Sequence, residues 1–420
     1  MPTPLPAPVV RRAVRATYVA FTASGFAFAS WASRIPQVRD RLDLSTGALG
    51  LVLLAIAAGS VLALPAAGPL IARIGSRRMV TLMSVVLGGA LVVVAGGTLA
   101  GALPVVVVGL FLLGLGNGAW DVGMNVQGAV VERHLGRTVM SRFHAGFSVG
   151  TVAGALLGTL LVRLDVPVTE HLAVVGLVTA AAVPLGVRAF VGDDSGADLG
   201  DPDPGVDVAA AAPAPEAAPA PAPRGAMASW REPRTVLIGL FVLAFAFAEG
   251  TANDWVAVAV IDGYGGAEEL GTLTFAVFLT AMTLGRWFGP GLLDRYGRVA
   301  TIRVMAVVAL AGLGLFVLSG SLPLAVAGAL LWGLGTALGF PLGMSAAADD
   351  PALAPGRVSV VASIGYVAFL AGPPLIGLLG EAAGILRALS VVAVLLVLAL
   401  LVSGSVRPLA PSRPADRSAG

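Results

Sequence analysis

Cysteine is absent from the 420 residues, and so is lysine, because all 26 basic residues are arginine. Without cysteine there are no disulfides, thiolate metal sites or cysteine nucleophiles. Without lysine there is no phosphate-binding loop of the usual kind, so ATP is not the expected energy source. Histidine is scarce: His134, His144 and His171 lie scattered, with neither metal-ligand spacing nor the clustering that an interfacial enzyme needs. No enzyme, cofactor or metal is therefore expected. Charge is thin as well, at 12% of residues, roughly half the share of a soluble protein. No basic surface interleaved with aromatics points to nucleic acid.

What is there is apolar. Hydrophobic residues make up 57% of the chain, and many of the 55 glycines sit inside apolar stretches, where they let membrane helices pack closely. A bilayer core about 30 Å thick needs about 20 helical residues. Apolar runs of that length predict twelve spans, near 14–34, 46–71, 79–100, 104–131, 141–162, 169–190, 235–260, 269–292, 299–319, 323–347, 358–380 and 384–405. In lipid the backbone must satisfy its own hydrogen bonds, so each run is read as a helix. Arg11, Arg12 and Arg15 before the first run imitate a secretory signal, but a matching span opens the second half, so the run is read as a retained span.

Arginine placement predicts the orientation. With the N-terminus in the cytoplasm, twenty arginines fall inside, among them Arg11, Arg73, Arg142, Arg298 and Arg357. Five fall outside: Arg34, Arg39, Arg41, Arg163 and Arg387. That bias places both termini in the cytoplasm of a bacterial inner membrane. Composition changes between spans six and seven, where Ala/Pro-rich sequence carries scattered aspartates and too little apolar surface to fold. The expected organisation is a six-helix half over 1–190, a disordered cytoplasmic linker over 191–232, a second half over 233–406 and a tail over 407–420. Gly68-Pro-Leu-Ile-Ala-Arg73-Ile-Gly75-Ser-Arg77-Arg78 repeats 222 residues later, at Arg295, as Gly289-Pro-Gly-Leu-Leu-Asp294-Arg295-Tyr-Gly297-Arg298.

Asp294-Arg295-Tyr296-Gly297-Arg298 resembles the signature loop of the major facilitator superfamily. In the first-half copy Ala72 stands where that family has Asp, and Ser76 precedes the Arg pair. The resemblance implies an all-helical carrier with two pseudo-symmetric six-helix halves around a midplane site. Within span four, Asn117-Gly-Ala-Trp-Asp121-Val-Gly-Met-Asn125 resembles the fucose-permease group of proton-coupled sugar symporters. That group also has an acid late in span one, and the stretch Phe28–Pro36 has none, so sugar specificity does not carry over. The glycine-proline signature of drug antiporters in span five is absent too.

Charged residues inside a bilayer are costly and mark function by default. Asn117, Asp121 and Asn125 recur every four residues and share one helical face. A desolvated carboxyl holds a proton more readily than one in water, so such a site can load on one side and unload on the other. The plain alternative is interhelical glue. Glu249 and Asn253 form a similar pair in span seven; a cavity-facing role competes with a buried pair to an arginine such as Arg34. Arg34, at the outer end of span one, is either a gate or a snorkelling side chain. At the inner face Asp294 is expected to meet the start of span five and pair with Arg142, beside a pH-responsive His144, with Arg295 and Arg73 in the two signature turns. Arg286 is expected to support the turn after its own span. The expected function is a monomeric secondary transporter that moves a small solute by alternating access with protons, embedded in the lipid bilayer. Metabolite or drug efflux, and a non-transporting sensor on a carrier fold, are the competing readings.

Overall fold

The computed structural model describes residues 6–137, 139–193, 229–350 and 353–409. Among them the first half is built from α1 (Ala7–Ala32), α2 (Ile35–Arg41), α3 (Thr46–Ile74), α4 (Ser76–Leu99), α5 (Leu103–Leu135), α6 (Met140–Arg163) and α7 (Val168–Gly186). The second contains α8 (Pro233–Tyr264), α9 (Glu268–Tyr296), α10 (Arg298–Leu318), α11 (Leu322–Thr336), α12 (Gly339–Ala347), α13 (Ala354–Ala383), α14 (Ile385–Ala388) and α15 (Ser390–Val402). Counting α11 with α12 and α14 with α15, ten of the spans are long and apolar enough to cross a membrane by composition alone. The other two, α1 and α9, are 26 and 29 residues long. They carry Thr17, Ser24 and Ser30, and Thr272, Thr274, Thr280 and Arg286, because their polar faces turn into the bundle. An even number of crossings puts Pro6 and Leu409 on one face, called here the terminus face; the opposite one is the far face.

The two halves pack alike. In the first, α1 lies on α6, α3 on α5, α4 on α5 and α4 on α7; in the second, α8 lies on α13, α9 on α11, α10 on α11 and α10 on α15. Glycine carries the repeat to atomic contacts. A Cβ on Gly114 would collide with the Ile56 carbonyl, and one on Gly333 with the Phe278 carbonyl, 222 positions after Ile56. Close backbone approach of this kind drives helix association where the hydrophobic effect is weak. The halves meet along α3 with α13 and α6 with α9, which are exchanged by the same two-fold relation.

Span ten breaks just before Phe340-Pro341. Proline has no N–H to give the carbonyl four residues back, so the helix stops at Thr336 and restarts at Gly339. The double proline Pro373-Pro374 does not break its helix, because α13 runs unbroken from Ala354 to Ala383. Positions 194–228 of the expected linker, and the tail beyond 409, lie outside the described residues. The described edges of the linker are bonded to the halves. Asp193 accepts hydrogen bonds from the Ser76 backbone N–H and from Ser76 Oγ (2.6 Å). Gln127, with its amide nitrogen towards Ser76, also meets the Val191 N–H and carbonyl at 3.1 Å each. Glu232 accepts from Arg357 at 2.6 and 2.8 Å.

Leucine at Gly114 or Gly333 forces a backbone apart and is expected to destabilise by a few kcal/mol; yield and thermal unfolding in lipid nanodiscs measure it. The Arg357 guanidinium holds the Glu232 carboxyl below its ordinary value. A lowered folded-state pKa stabilises above the unfolded value, and that contribution is lost as pH falls through the folded one. Glu232→Gln is therefore expected to lower the unfolding temperature at pH 7 and to match the unaltered protein in acid below the lowered value.

Candidate functional site

α5 is an uninterrupted helix of 33 residues, and Asp121 sits 18 residues from its far-face start, about 27 Å at the helical rise. Asn125, one turn on, donates from Nδ2 to the Asp121 carbonyl (2.9 Å) and to its Oδ1 (3.3 Å). The Asn125 Oδ1 meets His144 Nε2 on α6 at 3.1 Å. The His144 ring stands edge-on to Phe21 of α1, with centroids 4.9 Å apart. Asn117, one turn before Asp121, accepts weakly from Ser24 Oγ of α1 at 3.4 Å. The predicted face of α5 is therefore a hydrogen-bonded row, and His144 belongs to it rather than to the rim of the membrane.

The most buried span is α8, with 67% of its apolar window inside the protein against 33% for the spans starting at Val168 and Ile385. Its Glu249 is paired, though not to Arg34. Arg286 Nη2 of α9 donates to both Glu249 oxygens at 2.8 Å. Arg286 Nε donates to the Ala337 carbonyl at 3.3 Å, the acceptor left free by Pro341. Arg286 is thus a member of the site, which corrects the expectation that it only supports a turn. Asn253, one turn beyond Glu249, has a buried Oδ1 with no protein partner. Asp254 makes no hydrogen bond or ion pair among the described residues and lies two turns, about 12 Å, from Asp262.

Electrostatics joins the two groups. Arg286 lies within electrostatic reach of His144 in the other half, and Tyr366 of α13 within reach of Asp121. Asp121, Asn125 and His144 form one hydrogen-bonded group in the first half, and Arg286 with Glu249 another in the second.

The far face is bridged between halves. Arg39 of α2 forms a bidentate ion pair with Asp262 of α8. Its neighbouring carboxylates hold the Arg39 guanidinium charged, raising its pKa above the ordinary value against the opposing effect of burial. Gln37 donates to Glu268 at 2.7 Å, and Arg163 approaches Glu269 at 3.8 Å. Glu381 of α13 accepts the Gly47 N–H at 3.0 Å in the first turn of α3, where the helix dipole favours an anion. At the terminus face, among the described residues, the ion pairs stay within the second half: Arg234 and Arg298 on Asp349, Arg357 on Glu232.

The expected gating residues divide accordingly. Arg142 and Asp294 are both exposed, and the structure does not pair them. Arg73 is exposed, and Arg295 lies over its neighbour's ring, 5.2 Å from the Tyr296 centroid. Arg34 is buried at 1% exposure, donating to His171 Nδ1 (2.9 Å) and the Val166 carbonyl (3.0 Å). It braces the first half and does not line a gate, the bridging arginine being Arg39. Sequence reasoning missed Arg39–Asp262, Gln37–Glu268 and Arg286–Glu249. The far-face partners are more than 200 positions apart, and exposed-looking charges at span ends carry no signal of what they meet. Arg286 had such a signal, as a lone arginine inside a span that demands an internal carboxylate.

The sequence pattern of the Major Facilitator Superfamily matches residues 17–359. The uncharacterized transporter y4wD of Sinorhizobium fredii is 33% identical over 370 residues, 88% of this chain and 91% of its own. Among solved structures, a variant of the nucleoside transporter NupG superposes with a TM-score of 0.72, over 95% of this chain and 98% of its own, at 13% identity. The E. coli fucose:proton symporter FucP does so with 0.56, over 92% and 97%, also at 13%. At that identity the structures share the fold alone. The family pattern and the relative together cover the same two-half bundle that holds the buried charges, and the protein belongs to the Major Facilitator Superfamily as a multi-pass membrane transporter.

Proposed function

We propose that this transporter is a secondary carrier that moves a small hydrophilic solute by alternating access and couples that movement to protons at Asp121. The observation that carries the reading is the hydrogen-bonded row Asp121–Asn125–His144, buried deep in the first half. A carboxyl held deep in a span by one amide, with no cation bonded to it, is suited to exist with and without its proton. The likeness in fold to a fucose:proton symporter and a nucleoside transporter agrees with a polar cargo.

Among the described residues, seventeen arginines on the terminus face against five on the far face favour termini in the cytoplasm, in the inner membrane of a bacterium. With that orientation the polar bridges between halves close the outer side, and the inner side has none among the described residues. The state is inward-facing. Outward opening then requires Arg39–Asp262, Gln37–Glu268 and Glu381–Gly47 to part together. Both halves of the site come from one chain, so one copy suffices for transport.

Two experiments test these readings. In proteoliposomes, Asp121→Asn is expected to reduce gradient-driven accumulation to background while solute exchange survives; full accumulation would remove Asp121 from coupling. The chain has no cysteine, so Gln37→Cys with Glu268→Cys can be joined by a short bifunctional maleimide without side reactions. Joining them is expected to stop transport. Undiminished transport would refute a moving outer gate.

A further inference from the structure

At the terminus face a cavity of about 380 Å³ opens where α8 begins and the chain leaves α15. Its walls are Arg234 and Leu237 of α8, and Gly404, Ser405, Arg407 and Leu409 from the stretch beyond α15. Two of these side chains are guanidinium groups, and no acid lines the cavity. Arg234 holds the walls together. Its Nε donates to the Ser405 carbonyl (3.1 Å) and its Nη2 to the Arg407 carbonyl (3.0 Å). Nη2 also meets one oxygen of Asp349 at 2.9 Å, but Arg298 takes the other at 2.6 Å. One negative charge is thus shared by two guanidinium groups. The Arg407 side chain is exposed and has no partner among the described residues. Arg303 of α10 adds a further cation beside the cavity, its Nε donating to Ser403 Oγ at 2.9 Å.

The surroundings decide which anion fits. Arg234 is the second residue of α8, and Arg407 follows the turn Ser403–Val406 that ends the last span. Both therefore lie where a bilayer changes from hydrocarbon to headgroups. Leu237 and Leu409 present apolar surface at the cavity itself, at 39% and 43% exposure, and Leu401 near the end of α15 is 76% exposed. Trp230, four residues before Arg234, is exposed as well, and indole rings favour the boundary of membrane and water. A free phosphate uses the arginines and gains nothing from the leucines; a lipid uses both. Basic pockets between membrane helices attract anionic headgroups. We infer that this cavity binds the headgroup phosphate of an anionic phospholipid. Arg407 is the donor to the phosphate, Arg234 is the fixed charge behind it, and the acyl chains lie along the exposed leucines. A zwitterionic lipid is disfavoured, because its ammonium group meets no acid here.

Native mass spectrometry of the full chain in detergent micelles tests the site, by titration with phosphatidylglycerol or with phosphatidylcholine of the same acyl chains. The first phosphatidylglycerol is expected to bind at least about fivefold more tightly than the first phosphatidylcholine, the effect of one arginine beside an anionic lipid. Arg407→Gln changes an exposed side chain that packs on nothing and is expected to abolish that preference. Arg137→Gln removes the same charge from an exposed position between α5 and α6 on the same face and is expected to keep it. Inorganic phosphate at the concentration of the lipid is expected to leave the lipid bound. Equal binding of the two lipids overturns the inference. So does a preference that survives Arg407→Gln, or one that Arg137→Gln abolishes as well. Displacement of the lipid by phosphate at that concentration assigns the cavity to a free anion and overturns it too.

Discussion

Water is missing from the core of a bilayer, and every polar group of this chain that lies there must find its partner in protein. The second half answers that constraint with a single sequence of consequences. Pro341 cannot donate to the Ala337 carbonyl, so span ten breaks and leaves that oxygen without its helical partner. Arg286 reaches it with Nε at 3.3 Å and is fixed in direction as a result. Its Nη2 then meets Glu249, and neither charge is left alone in the membrane. A break in one helix, an arginine on a second and an acid on a third are one device. Losing one member of a buried ion pair exposes the other to the cost of an unpaired charge, which exceeds the net worth of the pair itself.

The pseudo-symmetry of the fold makes the difference between the halves informative. Gly114 and Gly333 lie against α3 and α9, and Gly116 and Gly335 against α4 and α10, in matching places. In that register Asp121 corresponds to Phe340, beside the proline that interrupts span ten. The same position holds an acid in an intact helix in one half and a broken helix in the other. The first half therefore presents a carboxyl held by one amide, and the second a carboxyl locked by an arginine.

Much of this was legible in the residues. Apolar run lengths gave twelve crossings because the bilayer sets a length and the chain has to meet it. The spacing of Asn117, Asp121 and Asn125 placed them on one face, since period and face are linked in any helix. The glycine-proline turn at Asp294 identified the family. The ionic partners were not legible. Arg39 and Asp262 look like ordinary interfacial charges until two helices 223 positions apart are brought together. Arg34, close to Arg39 on the same stretch, looked the better gate residue, and it turned inward because His171 and the Val166 carbonyl offer it acceptors within its own half. Which of two nearby arginines bridges the halves depends on the direction of a seven-residue helix, and no local pattern encodes that.

The signature turn is bound by the same limit. Ala72 removes the carboxylate that the second copy keeps as Asp294. The structure supplies another from the opposite end of the half, as Asp193 binds the Ser76 N–H and hydroxyl at the start of α4. A helix N-terminus favours an anion whatever its source, so the local need is met. The consequence is not the same, however. Asp193 arrives beyond the end of α7, and its oxygens are engaged within the first half. Asp294 is exposed at the terminus face, in the half that α6 of the first half packs against. A carboxylate already bound to its own half has little to gain from the other, while an exposed one is free to form new bonds when that face closes. The two turns, though copies in sequence, are therefore unequal in electrostatics, and the inequality originates in one missing side chain at Ala72.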